Sequence, residues 1–302
     1  MSFDYAPLWL KATSLFVLFL GLRAWESQRG PPLEVWHTHV PKDVTAEDIA
    51  HLDWQGYLAA EQAVMDEVRT EITQQLPDAE RVPVNRYFEG SPIYPGHFKD
   101  DWNRTHVLEP DGPPVGAVVL LHGLTDAPYS GRHVGQLYRD HGWLALLPRL
   151  PAHGTVPAAL TDVRWQDWQA ATRLAVKEAR RRVGPDKPIQ LVGFSNGGQM
   201  VIRLLHEAAE LLAGAVIVAA TMPERENFGA EFSARTDHPV PVTIVAGTAD
   251  PIIPFEGGRM PWWARTVFSI GGLEVVADIV HLTVNQARVY FSTPQTGSAR
   301  CI

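Results

Sequence analysis

Apolar positions along this chain change their spacing three times, and each change predicts a different kind of element. Ala12–Leu22 is an uncharged run of eleven residues, bounded by Lys11 and Arg23. It is too short for the roughly 20 residues that cross a bilayer, although a stretch from Tyr5 to Leu22 with Lys11 snorkelling would make a short span. Its length also suits the apolar part of a signal peptide. After Arg29-Gly30-Pro31-Pro32, the spacing becomes helical. Tyr57, Val64, Val68, Ile72 and Leu76 share one face, which predicts a single helix over Thr45–Leu76. Thr45 followed by Asp48 is a cap at its start, and Pro77 ends it. Residues 77–102 read as loop.

From about residue 103 short apolar runs alternate with helical patterns. Strands are predicted at Thr105–Leu108, Gly116–His122, Trp143–Leu147, Pro188–Gly193, Gly214–Ala220, Val240–Ala246 and Leu273–Ala277. Helices are predicted at Gly131–His141, Trp165–Arg182, Gly197–Leu212, Glu256–Phe268 and from about Thr283. Gly116–His122 is apolar throughout, as a strand covered on both faces must be. Strands alternating with helices predict the α/β class, a doubly wound and mostly parallel sheet. The chain divides on this reading into an apolar segment (1–28), a linker with an accessory helix (29–102) and a sheet domain (103–302). Sheets of this kind place their sites at the carboxyl ends of the strands.

Charge narrows the partners. A net charge of −8 offers no broad basic field for nucleic acid. The run Arg180-Arg181-Arg182 falls at a helix end, where cations favour the dipole. One cysteine, Cys301, excludes an intrachain disulfide and a cysteine-based metal site. His37-Thr38-His39 has no further ligands at metal spacing, and no phosphate-binding glycine motif follows a strand. Neither a metal nor an organic cofactor is expected.

The chemistry concentrates in Gly193-Phe194-Ser195-Asn196-Gly197. This G-x-S-x-G ends one predicted strand and opens a helix, the setting of a nucleophile elbow. The turn is sharp, so Gly193 and Gly197 must lack a side chain. A serine there can also merely cap the helix. As a nucleophile it needs a base, and the base needs a carboxylate. Three histidines follow Ser195. His206 lies some three turns along the next helix, too far to reach back, and His238 precedes a strand. His281, after the last strand, is left as the base. Asp250, just past Val240–Ala246, is the acid, with Glu256 in reserve. The oxyanion needs backbone donors, one from Asn196 and one from the loop after Gly116–His122. Leu124 is the second donor, His122 and Gly123 shape that loop, and Asp126 structures it. Trp165 and Trp168 read as packing residues.

Together these residues resemble the α/β-hydrolase superfamily over roughly residues 103–290. LLHGLTDAPYS and RLPAHGTVPAAL resemble the monoacylglycerol lipase and serine aminopeptidase-like branch, in which the turn matching His153-Gly154 is structural. GFSNGGQM and GTADPIIPFEGG resemble the polyhydroxybutyrate depolymerase and feruloyl esterase-like branch. Residues 221–239 leave little room for the helical cap of the lipase-like branch, so the site is either capless or shielded by the Thr45–Leu76 helix. The resemblance implies a serine hydrolase of carboxylic esters, acting on a small-molecule or lipid-like ester. Two alternatives stay open: a peptidase or amidase with the same triad, and a noncatalytic binding protein of this fold. The apolar segment implies membrane association through residues 8–22 or export, with a cytoplasmic chain as the alternative.

Overall fold

The computed structural model describes residues 7–30, 32–218, 240, 242–245, 290–291 and 300–301. Helix α1 (Leu8–Arg29) comes first, then one turn, α2 (Val35–Thr38). The expected Thr45–Leu76 helix is broken in two: α3 (Ala46–Ala50) and α4 (Trp54–Val68), with α4 running on into a widened turn at Arg69–Thr73. Thr45 and Asp48 form the expected reciprocal cap on α3. The break has a chemical cause. The Asp53 carboxylate accepts the Gly56 N–H at 2.8 Å and so starts a new helix. The change of direction lets Ile49, Trp54 and Tyr57 all enter one core.

The sheet is built from β1 (His106–Leu108), β2 (Gly116–Leu121), β3 (Trp143–Leu147), β4 (Ile189–Phe194), β5 (Gly214–Val218) and β6 (Val242–Val245). Among the described residues the order is β1-β3-β2-β4-β5-β6. Only β1 runs antiparallel to its neighbour. A separate antiparallel pair joins β7 (Tyr290–Phe291) to β8 (Arg300–Cys301). Helices α5 (Arg132–Asp140), α6 (Trp165–Val183) and α7 (Asn196–Ala208) are the remaining α-helices among the described residues.

Side chains alternate across β2. Ala117, Val119 and Leu121 join α6 and α7 in the larger core. Val118 and Leu120 meet Tyr138 of α5 on the other face. All six β2 residues are buried, which explains why the strand is apolar without alternation. Helix α6 ends as its arginines require. Arg180 donates to the carbonyls of Gly184, Pro185, Lys187 and Leu211, while Arg181 and Arg182 hold Glu178.

Residues 29–102 are packed into the sheet rather than hung from it. Asp167 of α6 accepts the Ala46 N–H at 2.7 Å. Ile72, Leu76 and Tyr87 form a second cluster with Ala152 and Val156. Helix α1 differs. Leu15, Phe16, Val17, Leu18, Phe19 and Leu20 are all exposed. Six consecutive helical residues point in every direction, so no side of α1 is covered there. Among the described residues, no helix is long and apolar enough to cross a membrane.

Candidate active site

Strands β2 and β4 are neighbours, but β3 lies on the outer side of β2. The chain thus leaves their carboxyl ends in opposite directions, which makes this the topological switch point, the place where open α/β sheets bind ligands. Ser195 stands at the end of β4, and the His122–Asp126 loop stands at the end of β2.

The backbone at Ser195 is strained. Its φ is 52° and its ψ −117°, one of two positive φ values among the described non-glycine residues. Such a conformation costs on the order of 1–3 kcal/mol and persists only when its surroundings impose it. The surroundings are on both sides. The Ser195 N–H donates to the Val218 carbonyl of β5 at 2.8 Å, and the Ser195 carbonyl accepts from Gly198 N–H at 2.9 Å. The hydroxyl makes no capping hydrogen bond to α7. Ser195 therefore sits at the cap position without serving as the cap.

The two glycines are required by close approach. A Cβ on Gly193 would lie 2.5 Å from the Gly197 carbonyl carbon and 2.6 Å from Gly198 N. A Cβ on Gly197 would lie 2.7 Å from the His122 carbonyl oxygen and closer still to that of Leu121. The start of α7 is thus pressed against the end of β2. Gly123 is also close to the elbow, since a Cβ there would lie 3.3 Å from Ser195 Cβ, a tight contact. The elbow and the His122–Gly123 loop thus lie against each other. The first N–H groups of a helix have no carbonyl a turn earlier, so the Asn196 amide lies at the positive end of α7, where an oxyanion would be favoured.

His122 shapes the loop from inside. Its ring is buried, Nδ1–H donates to the Gly123 carbonyl at 2.9 Å, and Nε2 accepts the Leu150 N–H at 3.0 Å. That second bond requires a neutral ring. Burial, with a smaller contribution from His153, pushes its pKa down to about 3. His153 packs edge-on against His122 at 4.8 Å and against Trp168 at 5.4 Å. Burial lowers its pKa too, against the pull of the Pro151 and Leu124 carbonyls. His153 Nδ1–H donates to the Pro151 carbonyl at 2.9 Å, while Nε2 closes no bond of ordinary geometry. Trp168 Nε1–H also donates to Pro151 from within the core, a packing role, while Trp165 is exposed and lies under the Arg203 guanidinium at 3.8 Å. Asp126 accepts the Ala127 N–H, a loop-structuring role. Leu124 has an exposed side chain on this loop. His39 pairs with Glu67 at 2.9 Å, and among the described residues no group of three metal-ligating side chains converges.

Asp250 and His281 lie outside the described residues, as do Glu256, His238 and the Leu273–Ala277 strand. One group at the site was not foreseen. Arg149 follows β3 and is completely buried, with Asp43 and Glu61 on its guanidinium. The signal for it was a lone arginine inside WLALLPRLPA, an apolar stretch where a cation needs a carboxylate partner.

The architecture and the strained serine define a strand–elbow–helix sheet protein. Residues 116–234 match the family model described as the alpha/beta hydrolase fold. The thermostable monoacylglycerol lipase of Bacillus sp. (strain H-257) is 31% identical over 107 residues, which are 35% of this chain and 41% of that protein. A protein of Nocardia uniformis subsp. tsuyamanensis named as an esterase is 38% identical over 76 residues, 25% of this chain and 20% of that one. The chain therefore spans less than half the length of these curated relatives. Among solved structures, TT1662 from Thermus thermophilus has 19% identity and a TM-score of 0.46, covering 59% of this chain and 83% of that one.

Proposed function

We propose that this chain is a serine hydrolase that cleaves carboxylic esters through an acyl-enzyme on Ser195. The observation that carries the reading is the Ser195 backbone at φ 52°, held strained while its hydroxyl is withheld from capping α7. A serine that only capped the helix would need no strain. The lipase and esterase names of the two curated relatives support the same substrate class. In the proposed mechanism His281, oriented by Asp250, takes the Ser195 proton as the oxygen attacks the ester carbonyl. The N–H groups of Asn196 and Leu124 receive the negative oxygen. His281 returns the proton to the leaving alcohol, and water then attacks the acyl-enzyme by the same route. The residues invoked need no metal or organic cofactor. A lipid-like ester fits a further part of the proposal, that α1 holds the chain at a lipid surface through its uncovered apolar side chains.

The test is hydrolysis of p-nitrophenyl esters from acetate to palmitate, with fluorophosphonate labelling, by wild type and Ser195→Ala. The expected result is turnover and labelling by wild type, and a loss of at least about 10⁴-fold in kcat with no label in the variant. A preference for long acyl chains would support the lipid-like substrate. A wild type that neither turns over nor labels would sink the reading in favour of a noncatalytic protein of this fold.

A further inference from the structure

Between the N-terminal helices and the end of β3 lies a buried charged cluster that the proposed reaction does not touch. The Arg149 guanidinium donates to both Asp43 oxygens, Nη1 at 2.7 Å and Nη2 at 3.0 Å, and through Nε to Glu61 at 3.2 Å. The remaining acceptors are filled. Asp43 also takes the N–H groups of Ala152 at 2.7 Å and Val44 at 2.8 Å. Glu61 takes the Thr105 N–H at 3.1 Å and its hydroxyl at 2.7 Å. A buried ion pair is a poor source of net stability, because desolvation offsets the attraction, but it fixes geometry strictly when every donor and acceptor is used.

What it fixes is the turn Arg149–Gly154. Four backbone groups of that turn are held: Ala152 N–H by Asp43, the His153 carbonyl by Arg149 Nη1 at 3.1 Å, the Arg149 carbonyl by the Tyr57 hydroxyl, and the Arg149 N–H by the Thr105 hydroxyl at 2.9 Å. The turn needs holding, because Ala152 has φ 70°, a left-handed conformation an L side chain resists. Its opposite side carries the Leu150 N–H that His122 accepts and the His153 ring that packs on His122. His122 in turn holds the Gly123 carbonyl, and Gly123 backs onto Ser195. A continuous series of contacts thus runs from residues 43–61 to the loop beside the nucleophile.

We propose that Asp43, acting through Arg149, is a positioning residue for the His122–Leu124 loop, so that the 43–61 segment is a working part of the site. The catalytic half of this proposal rests on the ester-hydrolase reading. The experiment pairs two readouts on Asp43→Asn, on Asp43→Glu as the conservative variant, and on Tyr57→Phe, a milder loss. The first is hydrogen exchange measured on peptides covering 119–127 and 148–155, with α6 peptides as reference. The second is the split of kcat from KM on a p-nitrophenyl ester. Exchange at least tenfold faster in the two loop peptides, with α6 unchanged, is the expected result. It should accompany a kcat loss of tenfold or more in Asp43→Asn at a KM within twofold, partly rescued in Asp43→Glu. Tyr57→Phe should show the same pattern in weaker form, and it decides the matter if Asp43→Asn fails to fold. Loop exchange that stays at the wild-type rate, or that rises equally throughout the chain, overturns the proposal. So does an unchanged kcat in folded variants of an active enzyme. A wild type without turnover or labelling would defeat the ester-hydrolase reading and the catalytic half with it, while the exchange comparison would still decide whether Asp43 holds the loop.

Discussion

Gly197→Ala perturbs the point where the elbow is pressed against β2. The new Cβ would stand 2.7 Å from the His122 carbonyl oxygen, where ordinary contact begins at 3.4 Å. The Leu121 carbonyl is closer still, so the neighbours must part by roughly 0.7 Å or more. Neither side yields cheaply. The obstructing atoms are backbone of a fully buried strand, and the moving part is the first turn of α7 with Ser195 attached. Overpacking of this kind costs about 1–3 kcal/mol. For a chain of this size that lowers Tm by about 2–4 °C for each kcal/mol. The functional cost should exceed the stability cost, since a 1 Å misplacement at a reacting centre can cost about 10²-fold in rate. The assay is kcat on p-nitrophenyl butyrate together with a thermal melt. Gly21→Ala, where a Cβ meets nothing within 4 Å, serves as control. A Gly197→Ala protein with wild-type kcat and Tm would refute the argument that close approach dictates this glycine.

Further expectations follow from the buried histidines and from α1. His122 is neutral in the fold, with a pKa near 3, while an unfolded chain protonates it below about 6.5. The unfolded state therefore binds the extra proton, and stability falls as pH drops from about 6.5 towards 3. The slope is about 1.4 kcal/mol per pH unit from His122, and His153 adds in the same direction. Asp43, held below its ordinary 3.8 because Arg149 and its hydrogen bonds outweigh burial, adds a loss only as pH falls below that value. Urea midpoints that stay level between about pH 7 and 4.5 would contradict this. For α1, flotation with phosphatidylcholine vesicles should carry wild type upward, and Leu15→Glu with Phe19→Glu should leave the protein behind. Equal flotation of the two proteins would remove α1 as the lipid contact.

The elbow was legible because its signals are local. Gly193, Ser195 and Gly197 lie within five residues, and the strand before them and helix after them are periodic on either side. The cap at Thr45 and Asp48 was legible for the same reason. The single helix over Thr45–Leu76 was not a safe reading, because the face of Tyr57, Val64, Ile72 and Leu76 continues through a break that Asp53 makes with one hydrogen bond. Periodicity records which residues are buried, and both halves of a bent helix bury theirs. Arg149 was passed over because its partners lie 106 and 88 residues away, beyond any window of pattern.

Sequence alone determined the alternation of strands and helices and the place of the Gly193–Gly197 elbow. Those depend on spacing within one turn or one strand, which backbone geometry converts directly into shape. Tertiary structure decided the rest. Strand order set β2 beside β4 and so brought Gly123 to Ser195, two groups whose meeting no local pattern encodes. It also packed residues 43–61 against the turn after β3, with Asp43 and Glu61 on Arg149. A buried guanidinium must find its carboxylates wherever the chain brings them, and only the packed fold shows where that is.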